Sequence, residues 1–476
     1  MICAKTPDRE ILYASAADLA RRIREREVSC AEVMEAHLRR IEAVNGRLNA
    51  LVTLHPERSL EDARAADRRL SKGESVGPLH GLPVAHKDLL LTSGVRTTFG
   101  STVFRDHVPE VDSLSVERLR RAGAISVGKT NTPEFGAGSQ TFNALFGATR
   151  NPYDPRKTCG GSSGGAAVAL ASGMVPLADG SDMGGSLRNP AAFCNVFGLR
   201  PSVGRVPVWP SRAAFSRLSV EGPMARSARD AALMLAATAG PDRRDPLSLE
   251  APGSAFLQSL ERDFSGARLA FVPNPRSFPV EPAVCEVVEG SRVVFEGLGC
   301  AVEDAEPDFS GADGVFKTLR AWHFELEHGG LLDAHREELK ETVVWNIEEG
   351  RRLAGSDLGA AERERAGLYR RTLAFMERYE FLVLPTVQVA PFGVEEPFVR
   401  EINGLRMETY IDWMKSCYFI TATGLPAASV PGGFTKAGLP VGVQIVGRPR
   451  DDLGVLRLAH AFEQATRYGE RRPELT

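Results

Sequence analysis

Two patterns of apolar and polar positions divide the chain. In the first 75 residues, apolar positions recur at helical spacing. Ser15 is followed by Asp18, and Ser29 by Glu32, the pairing typical of a capping box at a helix start. A third helix is predicted over residues 57–70. We therefore expect an amphipathic helical lead-in over residues 1–75.

The pattern changes from Gly81 onward, where short apolar runs alternate with helical segments and turns rich in glycine and proline. Strands are predicted at 82–85, 124–127, 175–178, 269–272, 381–384, 428–430 and 441–446. Helices are predicted at 113–122, 227–239, 282–298 and 453–464, and residues 311–377 are almost wholly helical in pattern. Such alternation is typical of an α/β layered fold.

Composition narrows the class of protein. The 476 residues carry a net charge of −3, with 43% hydrophobic and 25% charged residues, which is ordinary for a globular chain. This balance gives no reason to expect nucleic acid or an anionic membrane as a partner. The seven cysteines show no CxxC spacing, and no apolar signal core or membrane-length apolar run is present, so a cytoplasmic protein with reduced thiols is predicted.

Two Gly-Gly-Ser steps stand out, one ending at Ser162 and one at Ser186. Successive glycines let the backbone approach another group closely and reach positive φ. A serine after such a step is next to exposed backbone N–H groups, which are the kind of donor that forms an oxyanion hole. Between the two steps, a small apolar helix and a short buried strand are predicted, and this loop-helix-strand-loop unit can bring the serines together.

Short motifs also match other kinds of site, a nucleotide-binding loop and an esterase nucleophile elbow. Residues 123–130 match the P-loop pattern, but they follow a predicted helix and form a strand themselves, which argues against nucleotide binding. Residues 161–165 match the nucleophile elbow of α/β-hydrolases centred on Ser163. The downstream histidines that such an esterase needs lie in helix-like stretches. His323 and His328 are five residues apart and do not share a helical face, so no metal site is predicted.

Lys87 is the remaining candidate base, because it lies in an otherwise apolar, strand-like segment. One interpretation places its stem along the core with its head in water. The other is a desolvated base. Free lysine is neutral in only about one molecule in 2,500 at pH 7, and burial lowers its pKa toward the range in which it accepts protons.

Six segments in order resemble the amidase signature family: GLPVAHKD, GKTNTPEFG, FGATRNPYD, CGGSSGGAA, GSDMGGSLRNPAAFCNVFGLRP and GLPVGVQIVGRP. The resemblance covers about residues 79–207 and 421–448. It implies one α/β/α domain over 1–476 with a mixed central sheet of about eleven strands covered by helices. The domain comprises the lead-in, a catalytic core over 76–265, a mostly helical variable region over 266–380 and a return to the core sheet over 381–476.

The resemblance also assigns roles to residues. It implies a Ser-cisSer-Lys triad of nucleophile Ser186, bridging Ser162 after a cis peptide bond, and base Lys87. The implied oxyanion donors are the backbone N–H groups of Met183, Gly184, Gly185 and Ser186. Ser163, Asp182 and Arg188 fall on supporting positions. His86, Ala166 and Met183 depart from the commonest wording of the family without removing a reacting group. His86 and Met183 leave the lysine environment and the pocket width open.

The predicted function is hydrolysis of a small-molecule carboxamide, such as an aryl or alkyl amide or a carbamate, through an acyl-enzyme on Ser186. Alternatives are a glutaminase-type subunit of an amidotransferase and the esterase that uses Ser163. The resemblance implies no cofactor, and we expect a monomer or homodimer without nucleic acid or membrane partners. Pocket residues are expected from 92–102, 316–345 and 410–419. Trp322, Trp413 and Phe419 favour an apolar substrate group, although core burial explains them nearly as well.

Overall fold

A mixed β-sheet organises the molecule in the computed structural model, which describes residues 8–475. Residues 1–7 lie outside the described residues. The start of the predicted lead-in and the N-terminal stretch without an apolar signal core fall there. The strands are β1 (Leu51–Leu54), β2 (Pro83–Lys87), β3 (Ile125–Thr130), β4 (Phe142–Asn143), β5 (Gly147–Ala148), β6 (Leu177–Asp182), β7 (Phe197–Arg200), β8 (Val220–Ala225), β9 (Arg268–Phe271), β10 (Ala301–Asp304), β11 (Phe381–Pro385), β12 (Glu401–Ile402), β13 (Leu405–Arg406), β14 (Ala427–Phe434) and β15 (Pro440–Gly447).

Eleven of these strands form the main sheet, in the order β1-β3-β2-β6-β8-β7-β14-β15-β11-β9-β10. Strand β2 pairs in parallel with β3 and β6, and β9 pairs in parallel with β10 and β11, whereas the other neighbours are antiparallel. The pairs β4–β5 and β12–β13 form two small separate ribbons. The predicted α/β class and the mixed sheet of about eleven strands are confirmed.

Helices surround the sheet. They are α1 (Asp8–Leu12), α2 (Ala16–Arg24), α3 (Cys30–Leu48), α4 (Pro56–Ser71), α5 (Leu114–Arg121), α6 (Gly164–Ala171), α7 (Arg188–Phe193), α8 (Ala228–Thr238), α9 (Pro282–Glu289), α10 (Arg292–Gly297), α11 (Ala312–His335), α12 (Glu341–Arg351), α13 (Gly355–Arg378), α14 (Lys415–Thr423) and α15 (Asp452–Thr466). Over the described residues, none of them has the length and apolar character that a bilayer crossing requires.

The helix starts predicted in the lead-in are present. The Ser15 hydroxyl accepts the Asp18 N–H at 3.0 Å, and Ser29 and Glu32 form the complete reciprocal capping box. Each such cap satisfies a backbone donor that the helix itself leaves unpaired. The lead-in also supplies β1 to the edge of the main sheet, so it packs on the core.

Several predicted boundaries were wrong. The strand expected at 175–178 is β6, because Pro176 precedes the pairing and the strand continues through polar residues up to Asp182. The single helix expected at 282–298 is two helices, α9 and α10, separated by Gly290 and Ser291. Four strands of the main sheet were not predicted: β1, β7 and β10 have only four residues each, and β8 contains a Gly-Pro step. The proposed division of the chain into four segments stays a prediction.

Candidate active site

The predicted loop-helix-strand-loop unit brings the two Gly-Gly-Ser steps side by side. Ser162 lies just before α6, every residue of which is buried. Strand β6 then returns through the sheet to the loop that carries Ser186. The Ser163 N–H donates to the Ser186 carbonyl at 3.2 Å, which joins the two steps directly. The Gly161–Ser162 peptide bond is cis.

Lys87 lies at the end of β2, the strand beside β6. Its side chain is completely buried, and Nζ donates to Ser162 Oγ at 2.7 Å and to Ser181 Oγ at 3.0 Å. Burial lowers the pKa of Lys87 to about 7, although Asp182 and Asp179 act in the opposite direction. The interpretation of a lysine with its head in water is therefore wrong. Sequence reasoning missed Ser181, for which the only signal was its place between Gly180 and Asp182 in the second motif.

Asp179 fixes β2 against β6 below the lysine. Its Oδ1 accepts the Lys87 backbone N–H at 2.7 Å, and its Oδ2 is hydrogen-bonded to His86 Nδ1. All three residues are buried. His86, whose role the sequence left open, therefore holds the lysine-bearing backbone through Asp179. No pattern in the sequence singled out Asp179.

Asp182 braces the loop that carries Ser186. Its carboxylate accepts the Gly185 N–H at 2.9 Å and the Leu187 N–H at 3.1 Å, and it pairs with Arg188 at 2.9 Å and Arg200 at 3.2 Å. Burial alone raises the pKa of Asp182, but the two guanidinium groups outweigh it and hold that pKa well below its usual range. The carboxylate therefore stays charged and holds the loop through these hydrogen bonds and ion pairs.

Arg188 extends this brace across the sheet. Its Nη1 donates to the Cys417 carbonyl at 3.0 Å and to Gln444 Oε1 at 2.6 Å. The position of Ser186 is thus tied to α14 and β15, far along the chain. Arg200, the second partner of Asp182, was not singled out in the sequence, although it stands in the same motif.

The loop after β6 leaves three backbone N–H groups unpaired in the part of the chain that the structure describes. The N–H groups of Met183, Gly184 and Ser186 have no hydrogen-bond partner among residues 8–475. The Gly185 N–H donates to Asp182. The prediction that Gly185 is also an oxyanion donor does not fit this geometry, because its single proton is already used.

The serines line a small chamber of about 100 Å³. Its walls include Ser162, Ser181, Ser186, Phe316, Arg320 and Tyr410. A larger cleft of about 740 Å³ adjoins it and shares Leu89, Phe135, Ser181, Met183 and Phe324 with the chamber. The shared walls make the chamber the inner end of one site.

All three segments expected to supply the pocket contribute to it, through Phe99, Phe316, Phe324, Tyr410 and Met414 among others. The aromatic residues singled out in the sequence do not line it. Trp413 is buried against Phe193, with Nε1 donating to Ser139 Oγ at 2.9 Å. Phe419 packs on Phe278, and Trp322 contacts His323. Core packing explains Trp413 and Phe419, whereas Trp322 is half-buried and belongs to neither the pocket lining nor the hydrophobic core.

The alternative motifs do not form sites. Ser163 is fully buried, and its hydroxyl donates to the Ser181 carbonyl at 3.4 Å; the part of the chain that the structure describes gives it no histidine partner. Lys129, from the P-loop match, lies inside β3 and donates to Leu90 O and Thr92 Oγ1. No group of three His, Cys, Asp or Glu side chains arranged for a metal occurs among the described residues.

Comparison with known proteins finds relatives along nearly the whole chain. The Amidase family model matches residues 32–456. The chain is 36% identical over 470 residues to an acylamidase of Rhodococcus erythropolis, covering 98% of each protein. It is also 36% identical over 493 residues to a glutamyl-tRNA(Gln) amidotransferase subunit of Moorella thermoacetica, covering 98% of this chain and 99% of the relative.

Solved structures match as well. A bacterial aryl acylamidase of the amidase signature family superposes with a TM-score of 0.90 at 30% identity, over 96% of this chain and 98% of the other. A 6-aminohexanoate cyclic dimer hydrolase superposes with a TM-score of 0.89 at 26% identity, over 98% and 99%.

The eleven-stranded mixed sheet and these relatives together define an enzyme class, the hydrolases that act on amide carbon–nitrogen bonds. Within that class, the chain belongs to the amidase signature family.

Proposed function

We propose that the chain hydrolyses small-molecule carboxamides through an acyl-enzyme on Ser186, with Ser162 and Lys87 as the proton relay. One observation carries the proposal: a fully buried lysine nitrogen lies 2.7 Å from the hydroxyl of Ser162. With a pKa of about 7, about half of the Lys87 side chains are neutral at neutral pH. A lysine in water offers a far smaller neutral fraction, so this environment supplies a usable base.

The relay begins at the neutral amine. Lys87 Nζ accepts the proton of Ser162 across their hydrogen bond, and Ser162 takes the proton of Ser186 as Ser186 Oγ attacks the substrate carbonyl. The tetrahedral intermediate collapses when the relay runs backward and protonates the leaving nitrogen, which releases an amine. Water then attacks the acyl-enzyme and gives a proton to the same relay, which returns a proton to Ser186 Oγ as the ester bond breaks and the carboxylic acid departs.

The developing oxyanion faces the loop after β6. The unpaired N–H groups of Met183, Gly184 and Ser186 are its donors, and each such donor is typically worth about 3–4 kcal/mol. Asp182 holds Gly185 and Leu187 from the other side of the loop. These donors are fixed before the reaction, so they need not reorganise as charge develops.

The adjoining cleft favours an aromatic or apolar substrate group. Phe99, Phe104, Phe135 and Phe324 line it. The acylamidase and aryl acylamidase relatives bear names that fit such amides. We therefore propose anilides and related aryl amides as substrates; carbamates and esters are open to the same acylating serine.

The glutaminase-type alternative fits the chamber less well. Glutamine carries an ammonium group, whose desolvation needs a carboxylate partner. The chamber itself is lined by serines, glycines, aromatic and apolar side chains and Arg320, and none of its described lining residues is acidic; the glutamates of this site, Glu221 and Glu327, line the outer cleft. The amidotransferase relatives keep the alternative testable: glutamine cleavage that appears only with a co-purified second subunit would support it.

The decisive experiment combines a variant with an active-site label. Ser186→Ala is expected to abolish acetanilide hydrolysis, whereas Ser71→Ala, an exposed serine at the end of α4, should match the parent enzyme. A fluorophosphonate should attach to the peptide that contains Ser186. Normal turnover by Ser186→Ala, or a label on Ser163, would refute the assignment and favour the elbow esterase.

A further inference from the structure

Arg320 is a buried cation in the wall of the chamber. It lies in α11, is only 6% exposed, and lines the same chamber as Ser162 and Ser186. Its Nη1 lies 3.2 Å from Met183 Sδ, in the loop that offers the oxyanion donors. The guanidinium therefore adjoins the place where the scissile carbonyl is expected.

The guanidinium lacks the partner that buried charges normally require. No carboxylate of residues 8–475 forms an ion pair with it, and its Nε has no acceptor. One neighbour is a thioether, a weak acceptor, and another is the face of Phe324 with its centre at 4.4 Å. Among the described residues, four other buried arginines pair with a carboxylate, Arg188 and Arg200 with Asp182, Arg205 with Asp452, and Arg217 with Asp245. Buried Arg226 donates to the carbonyls of Ala14 and Val175, whereas the Nε of Arg320 has no acceptor at all in the same part of the chain.

Tyr410 adds a second unused donor beside Arg320. Its Oη accepts from Arg320 Nη2 and from Asn346 Nδ2, the latter at 2.8 Å. Two donors occupy the lone pairs of a hydroxyl oxygen, so the phenolic proton must point elsewhere. Within the described part of the chain it has no acceptor, and Tyr410 also lines the chamber. A cation and a hydroxyl proton thus converge on space that a ligand can fill.

We propose that Arg320 and Tyr410 bind a carboxylate on the acyl part of the substrate, so that the preferred substrates are monoanilides of short dicarboxylic acids. This inference rests on the proposed amide hydrolysis. The chamber of about 100 Å³ holds a short acyl chain, and the larger apolar cleft takes the aromatic amine. A carboxylate here supplies the missing counter-charge, and hydrogen bonds between charged groups are stronger than neutral ones.

A purely structural role for Arg320 makes a different prediction. If the side chain only packs on Phe324 and steadies Met183, its loss lowers kcat for acidic and neutral substrates alike. If it binds a substrate carboxylate, its loss affects the acidic substrate more than the neutral one, and the difference appears mainly in KM. The comparison of the two substrates separates these roles.

The kinetic test compares succinic acid monoanilide with levulinic acid anilide, in which a methyl ketone replaces the carboxylate. The parent enzyme should prefer the acid by about 10-fold or more in kcat/KM, as expected for a hydrogen bond to a charged group. Arg320→Met should erase that preference, because kcat/KM for the acid should fall about 10-fold further than kcat/KM for the ketone. Arg320→Lys, which keeps the charge, should retain part of it and shows that the site still folds.

A binding test separates this inference from the catalytic proposal. In the Ser186→Ala protein, calorimetry should show tighter binding of the acid than of the ketone, and Arg320→Met added to that protein should abolish the difference. This result does not depend on which serine reacts. Equal binding of the two compounds, binding of neither, or an equal loss for both in the Arg320→Met variants would overturn the inference.

Discussion

At the scale of single residues, the site depends on which buried charges are compensated. Asp182 pairs with Arg188 and Arg200 and stays ionised. Lys87 has only hydroxyl partners at its nitrogen, so burial disfavours its charged form and lowers its pKa to about 7. In the same buried environment, the Lys87 amine without a carboxylate partner favours its neutral form, whereas the paired Asp182 carboxylate keeps its charge.

The lowered pKa of Lys87 predicts a pH profile. The neutral amine is the active form, so kcat/KM for an anilide should rise with pH and level off above an apparent pKa near 7. Lys87→Ala should lose this limb together with most of the activity. Lys129→Met removes another buried lysine outside the chamber, and its profile should keep the same midpoint. A rate independent of pH between about pH 5.5 and 8.5 would contradict the role of Lys87.

At the scale of elements, β3 shows why a glycine motif misleads when it is considered alone. Gly128 lies inside the strand with φ +147, and a Cβ there would meet the Thr53 carbonyl oxygen of β1 at 1.9 Å. The register between β1 and β3 shifts between Leu51 and Thr53. Gly128 therefore serves close backbone approach in a sheet, where the P-loop pattern expects a phosphate.

Gly128→Ala should destabilise the enzyme by about 2 kcal/mol or more, because the strand has to move away from β1. The measurement is the free energy of unfolding in urea. Gly46→Ala is the matched control: this exposed glycine lies in α3 with nothing within 4 Å of an added Cβ. That change should stabilise by about 0.5–1 kcal/mol. Equal effects of the two changes would contradict the assigned cause.

At the scale of the whole molecule, the lead-in is part of the same cooperative structure as the sheet. The hydrophobic core extends from Ile11 to Phe462. Arg226 donates to the Ala14 carbonyl at 2.7 Å, and Asp230 accepts the Ala17 N–H at 3.0 Å. Arg40 in α3 donates to Ser172 O at 2.8 Å. These contacts join the first helices to the start of α8 and to the turn after α6.

This docking predicts unfolding as one unit. In urea, hydrogen exchange of α2 and α3 should increase at the same midpoint as that of β14 and β15. Arg226→Met leaves buried carbonyls without their donor, so it should lower the free energy of unfolding by about 1–3 kcal/mol. Both midpoints should therefore move together to a lower urea concentration. Arg156→Met, which removes an exposed ion pair with Asp154, should change neither. Loss of the lead-in at lower urea than the sheet would contradict the prediction.

The sequence by itself determined the α/β class, the capped helices of the lead-in and the family, because local periodicity, capping residues and ordered motifs are properties of neighbouring positions. It also pointed to Lys87, Ser162 and Ser186. It did not single out Ser181, Asp179 or Arg200, whose polar side chains carry no local pattern.

Only the tertiary structure decided the environments of the groups around the chamber. The pKa of Lys87, the use of the Gly185 N–H by Asp182 and the unpaired guanidinium of Arg320 each depend on groups far apart along the chain. Burial and pairing are properties of the packed interior, so no stretch of sequence contains them. They arise when β2, β6 and α11 meet around one chamber.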